Sequence, residues 1–237
     1  MKNLFGISFV IFLFLISRSS LSDMRSYLWT YEYIITDPGK AEIEHYLTIQ
    51  APSWQNIKGL ASIQHRIEVE VGMTKHFDFS IYHNFFQNPD KNLVYSGFDL
   101  RARFLIGEKN QYPLDPLIYI EYGNDANLSK PKFETKLILA KDIGKFNIAF
   151  NPIFEVEKDG TTWEFVPAYA LGMRYEFTKL LRLGIEFKGE RDIHFIGAVV
   201  SHGKDNLWIA AGPMFMYSKN PNNKSEFLFR TIIGLGL

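Results

Sequence analysis

The sequence predicts an all-β fold, a single antiparallel transmembrane β-barrel of about twelve strands, and three observations carry that prediction. The first is the last stretch, Ser225 to Leu237. There Phe227, Phe229, Thr231, Ile233, Leu235 and Leu237 take one face, and Leu228, Arg230, Ile232, Gly234 and Gly236 the other. A strand of this kind at the end of a long strand series closes a ring, and closure leaves no row of unpaired amides in lipid. The second is composition. Aromatic residues make up 16% of the chain, with 21 Phe and 12 Tyr, yet mean hydropathy is only -0.09. Helical membrane proteins are more apolar than this, whereas barrel strands alternate lipid-facing and lumen-facing residues. The third is repetition: alternating segments recur at about 16 residues per strand plus turn, which suits spanning strands of about 9–11 residues.

The N-terminus has Lys2, an apolar run from Leu4 to Ile16, and small residues with Ser20-Leu21-Ser22 as a cleavage site. This predicts a secretory signal peptide over residues 1–22 and export through a bacterial inner membrane. A membrane anchor is the other reading, but the run falls short of the roughly 20 residues that a spanning helix needs. From Asp23 to Asp37, the residues Arg25, Tyr27, Trp29, Tyr31, Tyr33 and Ile35 alternate with Ser26, Leu28, Thr30, Glu32 and Ile34, which looks like a strand until Pro38-Gly39 breaks it. A spanning strand here would put the N-terminus outside the cell. Residues 23–39 are therefore expected in the periplasm or folded into the lumen as a partial plug, with the barrel over 40–237.

The predicted strands are Lys40–Gln50, Leu60–Val71, Phe77–Gln87, Asn92–Ile106, Pro116–Tyr122, Pro131–Lys141, Phe146–Val156, Thr162–Glu176, Lys179–Gly189, Asp192–His202, Leu207–Tyr217 and Ser225–Leu237. Alternation is explicit where Phe146, Ile148, Phe150 and Phe154 oppose Asn147, Ala149, Asn151 and Glu155, and where Leu183, Ile185 and Phe187 oppose Arg182, Gly184, Glu186 and Lys188. Counting back from Leu237, the turns GMTKH (72–76), KDIGK (141–145), EFTK (176–179) and HGKDN (202–206) fall on the periplasmic side. Loops rich in Asn, Pro and Ser, such as 87–91 and 217–225, fall outside. Gly107–Asp115 and Gly189–Asp192 run against the usual rule of short periplasmic turns and long outer loops. A fourteen-strand barrel is the competing count. A soluble β-sandwich or lipocalin-like fold has the same alternation. The strand number, the aromatic residues near strand ends and the C-terminal strand favour a membrane barrel.

Zero net charge gives no basis for nucleic acid binding, and the absence of cysteine excludes disulfides and thiolate metal sites. The six histidines show no HxH or HxxxH spacing, so no metal or cofactor is expected. Ser201 and His202 are adjacent and point to opposite faces of a strand, so no catalytic residue is assigned and no enzyme is expected. The candidate lumen-lining residues lie opposite the apolar rows. They are Arg66, Glu68, Asp99, Arg101, Arg103, Glu121, Glu134, Lys136, Glu164, Arg174, Arg182, Glu186 and Arg230. Their mixed signs suit either an ion-paired filling of a narrow lumen or a polar pore for small polar or amphipathic molecules.

The opening stretch Arg25–Thr48, the turn Gly72–Lys75 with its echo at Phe177-Thr178-Lys179, and the closing strand resemble a broad class of bacterial outer-membrane barrels. This is the porin and transporter class that includes relatives of the phenol-degradation-associated barrel family. The resemblance covers essentially the whole mature chain, on motifs generic to barrels. It implies the outer membrane as location, its lipid and lipopolysaccharide as surroundings, the barrel-assembly machinery as partner during insertion, and an unspecified small-molecule cargo. In that class the last residue is usually aromatic; here it is Leu237. No motif of the outer-membrane phospholipases is present. A closed structural or surface-interaction barrel, working through loops 87–91 and 217–225, is the other functional reading.

Overall fold

Twelve strands close into one antiparallel barrel in a computed structural model that describes residues 25–204, 206–220 and 224–237. The predicted signal peptide over residues 1–22 lies outside the described residues. The strands are β1 (Ala41–Ala51), β2 (Ser62–Thr74), β3 (Phe77–Gln87), β4 (Val94–Leu105), β5 (Asp115–Asp125), β6 (Lys132–Ile143), β7 (Phe146–Asp159), β8 (Thr162–Thr178), β9 (Leu181–Glu190), β10 (Ile193–Lys204), β11 (Leu207–Met216) and β12 (Phe227–Gly236). Each pairs with its sequence neighbours, and β12 closes on β1 from Glu42 opposite Gly236 to Ala51 opposite Phe227. The count is twelve, which removes the fourteen-strand alternative.

The strand ends differ from the pattern in the sequence by a few residues, for local reasons. β5 runs on to Asp125 because Gly123, Asn124 and Asp125 pair with Asp99, Phe98 and Gly97 of β4, although their side chains read as turn formers. Between β9 and β10 the turn is reduced to Arg191 and Asp192, with Arg191 at a positive φ of 52°. The β6–β7 ladder skips Asn151–Pro152 and the β10–β11 ladder skips Gly212–Pro213, where proline has no N–H to offer.

Alternation sorts the side chains cleanly. Phe150, Phe154, Phe165 and Ile185 are 42%, 51%, 58% and 48% exposed, a density of large apolar groups that water does not tolerate and hydrocarbon does. Two girdles of aromatic contacts bound this belt. At the end that carries the C-terminus, Phe77 stacks on Phe104, and Phe146, Tyr175 and Phe177 form a run. At the opposite end Phe85 meets Tyr95, and Phe133 bridges Tyr122 to Trp163. In single-chain barrels of this architecture the termini mark the periplasmic end, and we use that orientation below.

The interior is not uniform. The inward faces of β1 to β5 carry Glu42, Glu44, Glu68, Glu70, Asp78, Asp99, Arg101, Arg103 and Glu121, all buried. Those of β10 to β12 carry Ile193, Phe195, Trp208, Met214, Leu228 and Ile232, also buried.

Residues 25–37 occupy the periplasmic half of this interior. The turn at Pro38-Gly39 admits them: Gly39, at φ 76°, donates its N–H to the Gly72 carbonyl at 2.8 Å. A side chain at Gly72 would collide with the carbonyls of Thr36 and Asp37, so this glycine is what lets the entering chain lie against β2. The segment forms no strand, despite its strand-like alternation.

Candidate functional site

Side chains of the wall take the place of a neighbouring strand for residues 25–37. The Glu186 carboxylate on β9 accepts the backbone N–H groups of Leu28, Trp29 and Thr30 at 2.8, 3.0 and 2.8 Å. Asn151 on β7 accepts the Tyr31 N–H at 2.6 Å and donates to the Tyr31 carbonyl at 3.1 Å, an imitation of one strand pairing. Asp78 accepts the Thr36 N–H at 3.2 Å. Backbone donors that would be orphaned in a buried loop are thereby met by fixed acceptors.

The segment's own side chains complete the fit. Tyr27 lies over Gly172, the only residue type that leaves room for its ring, and donates its hydroxyl to Asn147 Oδ1 at 2.9 Å. Glu32 receives the Ser26 N–H at 2.9 Å and faces Arg174 at 3.3 Å. Arg25 donates to the Tyr46 hydroxyl at 2.7 Å and sits over the Tyr31 ring at 4.2 Å. Tyr33 donates to the Gly107 carbonyl at 2.6 Å near the periplasmic mouth.

The thirteen candidate residues fall into three groups. Glu68, Arg101 and Arg103 belong to a buried network on β2 to β4. Arg101 meets Glu68 at 2.8 Å and also Glu70, and Arg103 binds Glu70 and both oxygens of Asp78. Arg174, Arg182, Glu186 and Arg230 hold the N-terminal segment. Arg182 reaches Ser26 Oγ at 3.1 Å, and Arg230 reaches the Leu28 carbonyl at 3.1 Å and Thr48 Oγ1 at 2.9 Å. The others lie toward the outer end. Arg66 bonds to Asp99 at 2.9 Å and faces Glu121 at 3.6 Å, and Lys136 pairs with Glu134 at 3.1 Å while lying 4.3 Å from the Tyr119 ring. Glu164 sits at the rim, paired with Arg191 at 2.6 Å.

A charge-only reading of the sequence misses part of this arrangement. Tyr46, Tyr82 and Tyr119 are buried on the inward face and hydrogen-bond to Arg25, Arg101 and Glu121 respectively. Asn147 and Asn151 hold the segment, and Asp78 closes the Arg103 site. Their parity with the charged residues on the same strands is the signal that places them.

Beyond the segment, toward the outer end, the lumen opens into a vestibule. One cavity of about 190 Å³ has Arg25, Trp29 and Tyr31 in its floor and Arg66, Lys132, Lys136, Glu155 and Lys188 in its walls. A second, of about 450 Å³, shares Lys188 and Glu190 with it and continues past Ile193, Phe195 and Leu228. A carboxylate trio of Glu44, Glu68 and Glu70 has the proximity of a metal cage, but Arg25, Arg101 and Arg103 already neutralise it.

A closed barrel that is apolar outside between two aromatic girdles and charged within defines a transmembrane β-barrel of the bacterial outer-membrane type. Solved structures bear the same fold. The chain is similar to the COG4313 outer membrane channel from Pseudomonas putida F1, with a TM-score of 0.63 and 10% identity over 89% of this chain and 100% of that one. It is similar to the NanC porin, with a TM-score of 0.58 and 8% identity over 83% and 100% of the two chains. It is similar also to the KdgM porin in complex with disordered oligogalacturonate, with a TM-score of 0.57 and 11% identity over 82% and 97%. No protein-family model matches the sequence, and no curated protein matches it.

Proposed function

We propose that the protein is an outer-membrane channel for small polar or amphipathic molecules, exported by a signal peptide over residues 1–22 and closed in this conformation by its own N-terminal segment as a plug. The observation that carries the reading is the attachment of residues 28–30 to Glu186. Three backbone N–H groups on one carboxylate form a clamp that a structural filling of side chains would not need. The vestibule above the plug and the shared fold of channel proteins support the same reading.

The test is single-channel conductance in planar bilayers, comparing the full exported protein with a version lacking residues 25–37. The full protein should be silent or open rarely, and the truncated one should give stable steps. Equal conductance from both would overturn the plug while leaving the channel. Silence from both, with a folded heat-modifiable barrel, would overturn the channel and leave the structural barrel.

A further inference from the structure

Two cations in the vestibule stand apart from the ion pairs that occupy the rest of the lumen. Lys188 and Arg230 have no carboxylate within 4.0 Å among the described residues. Their inward-facing neighbours are otherwise matched: Lys136 pairs with Glu134, Arg66 with Asp99, and Lys132 lies 3.6 Å from Glu155. Glu186, two residues from Lys188 on the same face, is taken up by the backbone of residues 28–30. Glu190, two residues the other way, faces Lys224 at 3.9 Å.

Both cations border the indole of Trp29, and the hydrogen bonds of Arg230 go to neutral acceptors, the Leu28 carbonyl and Thr48 Oγ1. The Arg230 guanidinium carbon lies 4.6 Å from the centre of that ring system and the Lys188 ammonium 5.7 Å, and Lys188 is also 5.8 Å from the Phe195 ring. Trp29 in turn packs against the buried apolar cluster of Ile193, Phe195, Met214 and Leu228. The wall itself is buried, with Trp29 and Met216 packed against it, and the two cations beside it have only neutral partners, so a counter-ion is what they lack. The cavity of about 450 Å³ lined by Lys188, Ile193, Phe195 and Leu228, with Glu190 and Lys224 also on its wall, provides space for the body, and Arg230 lines the adjoining cavity of about 190 Å³ that shares Lys188.

We propose that this end of the vestibule is a binding site for an organic monocarboxylate with an apolar body, its carboxylate held between Lys188 and Arg230 and its body laid along Phe195 and Leu228. The proposal deepens the channel reading, on which it rests for its purpose, by naming the class of cargo. Either half of the ligand alone would be poorly matched. An uncharged body leaves both cations without an anion, and a small anion forgoes contact with Phe195 and Leu228.

The experiment is calorimetric binding to the full protein extracted from membranes in detergent, with 4-phenylbutyrate as probe against 4-phenylbutanol, acetate and inorganic phosphate. Phenylbutyrate should bind about tenfold or more tightly than each of the others, since it alone satisfies both halves. Lys188→Gln and Arg230→Gln should each weaken it by about tenfold, Lys188→Arg should retain it, and Phe195→Ser should weaken it without altering the preference for charge. Equal binding of phenylbutanol, equal binding of acetate or phosphate, or no binding to a folded barrel would each overturn the site. Binding by a protein that never conducts would uphold the site and reject the channel, so the two readings fail separately.

Discussion

Glu186 and Trp29 are joined by a hydrogen bond of 3.0 Å from the Trp29 N–H to a carboxylate that also holds the residues on either side. The wall therefore grips the N-terminal segment by its backbone, at its deepest point in the lumen. Glu186→Gln keeps the shape but turns one acceptor oxygen into a donor group facing N–H donors. Losing charge-assisted bonds of this kind costs about 2 kcal/mol, or roughly thirtyfold in the closed-to-open ratio. Single-channel recording should show open probability rising by that order, with unitary conductance unchanged.

Gly172 offers a release that involves no charge. A valine there would push the Tyr27 ring from its place and break its bond to Asn147. Gly172→Val should leave the barrel folded and expose residues 25–37 to added protease from the periplasmic side. Protection equal to the parent protein would show that the segment is not held by this contact.

Removing one partner from the buried network should damage stability far more than Glu186→Gln or Gly172→Val. Arg103→Ala leaves Glu70 and Asp78 facing each other with Arg101 as the remaining cation close by. Breaking a buried pair in this way costs about 3–5 kcal/mol. The midpoint of urea unfolding in detergent or lipid should fall accordingly.

On the outer surface the sign of the effect is set by lipid. Ile185→Arg places a charge between the two aromatic girdles and should cost about 2–4 kcal/mol of folding free energy in bilayers, less the nearer the site lies to a girdle. Unfolding titrations in lipid vesicles measure it directly. A neutral result would move the membrane boundary.

Alternation in the sequence carries the barrel because lipid and lumen impose opposite demands on neighbouring residues, as the burial of β1, β5 and β10 follows residue by residue. Strand ends are less legible. β5 continues through Gly123 to Asp125 because its partner β4 still offers backbone there, which side-chain type does not reveal. Residues 25–37 carry the same alternation yet form no strand, because Glu186, Asn151 and Asp78 take their N–H groups before any neighbouring backbone can. That preference depends on acceptors more than a hundred positions away for Glu186 and Asn151, and no local pattern records it. Charge marks which residues face inward, but not that Arg174 and Arg182 serve the segment whereas Arg66 and Lys136 face the vestibule. The apolar wall of Ile193, Phe195 and Leu228 was hidden for the opposite reason, since apolar residues on both faces of a strand blur the alternation.

The seam between β1 and β12 does more than complete the ring. Arg230 on the last strand bonds to Thr48 on the first and to the carbonyl of Leu28 inside. One side chain thus ties the last strand to the first and to the lumenal filling, so a chain without residues 25–37 loses a fastening at its own seam and should seal its hoop more slowly even though every rung of the ladder remains.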